Sequence, residues 1–183
     1  MKKILIVVAV LAVIVLSIFG SYNSLVSSNE NVNGKWSQVE NQLQRRSDLI
    51  PNLVNTVKGY AAHEKDVFTN VSNARAKLAG ATTVADKAAA NGELSNALSR
   101  LLAISENYPQ LKANANFAQL QDELAGTENR LAVARKDYND AAQAYNTKIK
   151  SFPTMLYAGM FGFTTKDYFK AEEGAKAAPK VSF

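Results

Sequence analysis

RRSDLIPNLVNTVKGYAAHE, residues 45–64, decides how many helices this chain builds. Two adjacent arginines lead into a proline, inside a region whose apolar residues otherwise keep helical spacing. A proline in a helix interior removes one backbone donor and clashes with the carbonyl four residues back, at about 3 kcal/mol. In the first turn of a helix it costs nothing of the kind, and Ser47 or Asp48 could cap such a turn. Pro51 therefore marks either a kink in one long helix or a chain reversal between Ser47 and Asn52. The unbroken apolar register and the lack of glycine favour the kink. Segment lengths favour the reversal, which would leave four helices of matched size, and the reversal is the expectation carried forward.

Working outward, apolar residues recur at Val32, Trp36, Val39, Leu43, Ile50, Leu53, Val57, Tyr60, Val67, Val71, Ala74 and Leu78. Steps of three and four alternate, the heptad pattern of a helix packed on other helices. Arg46 and Glu64 fall on that seam as charges. A second seam runs Phe117, Leu120, Leu124, Thr127, Leu131, Ala134, Tyr138, Ala141, Tyr145, and a weaker one passes through Ala88, Asn91, Leu98 and Leu102. Gly80–Thr83 separates two helices, with Thr83 as N-cap and Asp86 in the capping-box position. Tyr108-Pro109 closes the middle helix, and Asn116 would cap the last. No stretch alternates with period two long enough for a strand. The fold class is all-α, an antiparallel, up-and-down four-helix bundle over residues 27–151, with residues 152–183 as an apolar segment and tail.

Ahead of the bundle, ILIVVAVLAVIVLSIFG (residues 4–20) carries no charge, and the first charge after it is Glu30. A helix from residue 4 to 24 covers roughly 30 Å, one hydrocarbon thickness. A cleaved signal peptide would want small residues near its end, where bulky Ile18 and Phe19 stand. Residues 1–26 are expected to be an uncleaved transmembrane anchor. Lys2 and Lys3 keep the N-terminus cytoplasmic and export the body, a single-pass protein of a bacterial cytoplasmic membrane.

Composition narrows the chemistry. The 183 residues suffice for one core and hardly for two. The chain has no cysteine and one histidine, which excludes thiolate chemistry and an all-histidine metal site. The net charge of +5 includes Lys2 and Lys3, and the remaining charges of both signs are interspersed. No basic stripe of the nucleic-acid-binding kind is present.

QLQRRSDLIPNLVNTVKGYAAHE, YPQLKANANFAQLQDELAGTENRLAVARKDYNDAAQAYN, FPTMLYAGMFGF and the closing APKVSF together resemble the LemA family, in order from about Tyr22 to Phe183. The resemblance implies a single N-terminal transmembrane helix and an antiparallel helical bundle. It supplies no catalytic residue and points to a membrane-organising role.

Among candidate sites, His63-Glu64 fails the HExxH zinc test because Val67 stands where the second histidine would be. Arg45, Arg46 and Asp48 could bind an anionic ligand. The alternative is structural: Arg46 and Glu64 would pair across helices with Glu128, Arg130 or Arg135 and fix register. Gly126 would let a neighbouring helix approach. Residues 152–163 hold no charge, and Phe152, Met155, Leu156, Tyr157, Met160, Phe161 and Phe163 make most of the run apolar, with Lys148, Lys150 and Lys166 flanking it. Such a run is a cap on the bundle, a membrane-surface element or a slot in another subunit. No enzyme activity and no cofactor are expected. The expected partners are the lipid bilayer and further copies of the chain, with another membrane protein as the alternative, and no nucleic acid.

Overall fold

The structure, a computed structural model, describes residues 2–170, with the side chains at positions 7, 10, 11, 13–15 and 17 outside that description. Every regular element among the described residues is helical. They are α1 (Lys2–Lys58), α2 (Lys65–Gly80), α3 (Val84–Ser105), α4 (Pro109–Lys112) and α5 (Ala115–Lys150), then two 3-10 turns at Thr154–Leu156 and Ala158–Phe161.

The chain does not reverse between Ser47 and Asn52. Helix α1 passes through Pro51 without a break. The reason lies on another helix. Pro51 cannot donate to the Ser47 carbonyl, and Arg75 of α2 fills the vacancy: its Nε donates to that carbonyl at 3.0 Å and lies 3.1 Å from Ser47 Oγ. The reversal comes at residues 59–64. Tyr60 and Ala61 N–H both bond the Val57 carbonyl, at 3.0 and 2.9 Å, which winds the last turn of α1 tight. Packing shifts with it. Ala61 and Phe68 are buried, while Tyr60, expected on the seam, is exposed and Val67 only half-buried.

The membrane-spanning helix expected at residues 1–26 is not supported: among the described residues no helix is long and apolar enough to cross a membrane. The apolar stretch is not a separate element but the first part of the 57-residue α1, continuous with its polar remainder.

Two compact units divide the chain. One comprises the residues up to Ser37 together with Lys136–Asp167; the other comprises Gln38–Arg135 and the residues from Tyr168. In the second unit, α2 runs back along α1, with Arg75 beside Ser47 and the Lys58 ammonium 5.4 Å from the Phe68 ring centre. Helix α3 runs with α1, placing Lys87 against Glu40 and Asn91 against Arg46. Helix α5 opposes α1, with Glu128 at Arg46 and Asn114 donating to Tyr60 Oη at 3.0 Å. Four helical segments thus alternate in direction around Val39, Leu43, Leu53, Val57, Val71, Leu94, Leu101, Phe117 and Leu131, all buried. The caps are local. Thr83 Oγ1 accepts from Asp86 N–H at 3.0 Å. For α5 the cap is Asn114 rather than Asn116: its Oδ1 accepts from Phe117 N–H at 3.1 Å.

In the first unit α1 and α5 are again antiparallel. Lys148 Nζ reaches Ser24 and Ser28 Oγ at 3.1 and 2.5 Å, and Lys35 Nζ meets Asp137 at 2.8 Å. Trp36 and Tyr138 rings lie 5.0 Å apart, above a core of Leu25, Val32, Ala142 and Tyr145. The hydrogen bond from Lys35, and then its charge, hold the Asp137 carboxyl below the usual carboxylate range. A depressed carboxylate stabilises the fold above its unfolded pKa, and that contribution is lost as pH falls through the folded value. In an NMR titration Asp137 should therefore protonate below the ordinary carboxylate range, and Lys35→Gln should move it back toward that range.

Candidate functional site

Two places gather the residues that the sequence singled out. The first is a charge cluster in the second unit. Arg46, on the buried seam of α1, is only 6 % exposed. Its Nη1 donates to Asn91 Oδ1 at 2.9 Å and lies 2.7 Å from Glu128 Oε2, in charge contact without hydrogen-bond alignment. Arg135 reaches the other oxygen, Nη2 to Glu128 Oε1 at 3.3 Å, and its guanidinium lies 5.0 Å from the Phe169 ring centre. Burial lowers the pKa of both arginines, and the Glu128 charge works against that; for Arg46 the Arg135 charge adds to the lowering. One carboxylate thus holds two cations.

The other residues of the expected cluster stand apart from it. Arg45 and Arg130 are exposed, and Arg130 Nη2 donates to Thr127 Oγ1 at 3.1 Å. Asp48, also exposed, accepts from Gln44 at 2.8 Å. Glu64 sits at the N-cap of α2 without a side-chain cap bond. Nor does Gly126 admit another helix: the atoms nearest to an added Cβ belong to Arg130, one turn along α5. Arg135 and Asn91 complete the cluster. Arg135 carries a readable signal, since it follows Glu128 by one heptad and shares its helix face, whereas Arg130 does not.

Among the described residues, neither the cluster nor its surroundings offer a nucleophile beside a base. Among the described residues no group of three or more His, Asp or Glu could hold a metal ion. A groove of about 440 Å³ in the second unit is lined by Glu40, Gln44, Ser47, Ser72, Arg75 and Lys87 among others. Its charges are occupied: Lys87 pairs with Glu40, and Arg75 with Ser47.

The second place is the apolar run after α5, in the first unit. Helix α5 ends with Lys148 and Lys150 in its last turn, where a helix C-terminus favours cations. The two 3-10 turns then fold the chain over. Gly162 closes them at φ 77°, a left-handed conformation that suits glycine, and Phe163 N–H bonds the Ala158 carbonyl at 3.0 Å. The chain returns along α5, pinned by buried Asn146, which donates to the Lys166 carbonyl and accepts from Lys166 N–H, each at 2.8 Å. Tyr138 Oη adds a bond to the Asp167 carbonyl at 2.7 Å.

The turns do not keep all their apolar residues on one side. Tyr157 and Ala158 point in and are buried, and Phe163 is half-buried. Phe152, Met155, Leu156, Met160 and Phe161 point out; Met160 is 85 % and Phe152 78 % exposed. The face is tied to α1 by Tyr22, whose ring meets Phe161 and Phe163 edge-on at 5.3 and 5.6 Å. Just before Tyr22, α1 shows more exposed apolar side chains, Phe19 and Leu16.

Comparison with known proteins bears on the whole chain. The LemA family matches residues 35–183. Magnetosome protein MamQ 2 of Paramagnetospirillum magneticum is 31 % identical over 207 aligned residues, 97 % of this chain and 75 % of that protein. Magnetosome protein MamQ of Magnetospirillum gryphiswaldense is 31 % identical over 81 % of this chain and 64 % of its own length. Protein LemA of Metamycoplasma hominis is 23 % identical over 84 % of this chain and 71 % of its own. With a family match over most of its residues and relatives at this identity and coverage, the chain belongs to the LemA family.

Proposed function

We propose that this protein is a non-enzymatic, membrane-anchored helical scaffold of the bacterial cell envelope. Residues 1–26 would span the cytoplasmic membrane once, and the body on its outer face would self-associate or organise partners. One observation carries the reading. Ile4, Leu5, Ile6, Val8, Leu16 and Phe19 of α1 are each more than half exposed. Successive helical residues point about 100° apart, so Ile4, Leu5 and Ile6 alone set apolar side chains most of the way round the helix. A helix that is apolar all round belongs in a protein core or a bilayer, and nothing among the described residues covers these side chains. The positions in this stretch whose side chains are not described are valine, leucine or isoleucine at all but residue 17. Relatives named for the magnetosome agree with a role at a membrane-bounded structure.

Topology is testable without background, because the chain has no cysteine. A single cysteine at exposed Asn70 on α2 should react with a membrane-impermeant thiol reagent in cells whose inner membrane is intact. Reaction only after that membrane is broken would place the body in the cytoplasm and reject the reading. Mass measurement in mild detergent separates the scaffold from a regulatory adaptor for another membrane protein. A scaffold runs as a homo-oligomer, whereas an adaptor stays a monomer until its partner is added.

A further inference from the structure

We propose that the outward face of the two 3-10 turns is a second membrane contact, a collar that enters the headgroup region of an anionic phospholipid bilayer where α1 leaves it. The inference deepens the anchored reading above, but its evidence lies in the first unit's own geometry.

Five apolar side chains within ten residues (Phe152, Met155, Leu156, Met160 and Phe161) stand exposed on a segment that is otherwise fixed. The fixing is extensive. Tyr157 and Ala158 are buried beneath it, Asn146 locks the returning segment, and the closing bonds of Gly162 and Phe163 set its curvature. Exposed apolar residues on a held loop are an interaction surface rather than a slack tail.

Position selects lipid over a protein partner. Tyr22 holds Phe161 and Phe163 against α1, and the uncharged run of residues 4–20 begins within one turn of it. From Tyr22 back to Ile4 is roughly 27 Å of helix. If that length lies in hydrocarbon, the turns lie at the boundary, where aromatic and methionine side chains reach the outer acyl region. Ser24 and Ser28, bonded to Lys148, then stand on the aqueous side.

Charge selects the headgroup. No acidic residue occurs from residue 4 to 29, nor from 141 to 165, the two stretches that form this end of the unit. Lys148 and Lys150 stand directly behind the turns, both exposed, with Lys166 half-buried on the returning segment. An apolar face with basic residues and no acid behind it matches a bilayer carrying anionic lipid.

The test uses the full chain in vesicles, with single cysteines carrying a polarity-sensitive fluorophore and quenchers on the lipid acyl chains. Labels at Met160→Cys and Phe152→Cys report the collar; Ala9→Cys reports the anchor and Asn70→Cys the body. In vesicles containing phosphatidylglycerol, the collar labels should be quenched by shallow quenchers, the Ala9→Cys label by deep ones, and the Asn70→Cys label by neither. Substituting Lys150→Gln should lower the inserted-to-withdrawn ratio of the collar about fivefold, and Lys150→Arg should restore it. Collar labels left unquenched beside a quenched anchor label would overturn the proposal. So would collar labels that turn blue without lipid quenching, since a second copy would then cover the face. Equal insertion in pure phosphatidylcholine would overturn the anionic preference. A quenched collar beside an unquenched Ala9→Cys label would support the collar and reject the transmembrane anchor instead.

Discussion

Replacing Glu128 with glutamine should cost about 3 kcal/mol of unfolding free energy, at the low end of the 3–5 kcal/mol range for breaking a buried ion pair, because Glu128 is partly exposed. For a domain of this size the melting temperature should fall by on the order of 10 °C. Glutamine keeps the shape of the side chain and removes only its charge. What remains is Arg46, enclosed on the α1 seam with its Nε already unpartnered, facing Arg135 across the vacated charge. Neither guanidinium can discard its proton to escape. Water can reach the site only partly, since the Glu128 side chain is 41 % exposed.

Arg46→Met should cost less than Glu128→Gln. It removes one of two like charges, leaves Glu128 with Arg135, and abandons only the Asn91 carbonyl at 2.9 Å. Combined, the two changes should cost clearly less than their sum, because each removes the reason the other hurts. Thermal or denaturant melting of the full chain in mild detergent measures all three. An Arg46→Met penalty equal to or larger than that of Glu128→Gln would mean that packing, not charge, organises this site.

The residues that sequence patterning read well are those whose burial follows from helix period alone. Val32, Val39, Leu43, Ile50, Leu53 and Val57 on α1 are buried, as are Phe117, Leu124, Leu131, Tyr138 and Tyr145 on α5, because a face that repeats every three and four residues can meet only one side of a bundle. Thr83 is equally legible, since a cap is settled within four residues. The reversal is different. Its site depends on whether a freed carbonyl at Ser47 finds a donor, and that donor, Arg75, is 28 residues away and announces nothing in its own neighbourhood. The turn actually used, from Gly59 to Glu64, is rich in alanine and lacks the usual turn residues apart from its glycine. The apolar run after α5 was visible as composition. Which of its residues face out was not, because a 3-10 turn has three residues per turn and follows neither helical nor strand period.

Pro51 and Arg75 should therefore behave as one device. Arg75→Ala should destabilise the protein by about 1–3 kcal/mol, since it orphans a Ser47 carbonyl that lies among buried atoms. Pro51→Ala alone should stabilise it, by less than the ~3 kcal/mol that an uncompensated interior proline costs, because Arg75 already supplies part of what the proline removes. In the double variant, the alanine N–H at position 51 can bond the Ser47 carbonyl in the ordinary i to i−4 way. Arg75→Ala should then cost little beyond its lost bond to Ser47 Oγ at 3.1 Å. The coupling between the two sites should thus reach about 1 kcal/mol or more, the size seen for residues that share a hydrogen-bonding partner. Additive behaviour in the melting of the four proteins would show that Arg75 serves Ser47 for some reason other than the proline. Coupling of the expected sign would explain how α1 runs through Pro51 without breaking: α2 folds back alongside and donates to the carbonyl that the proline leaves open.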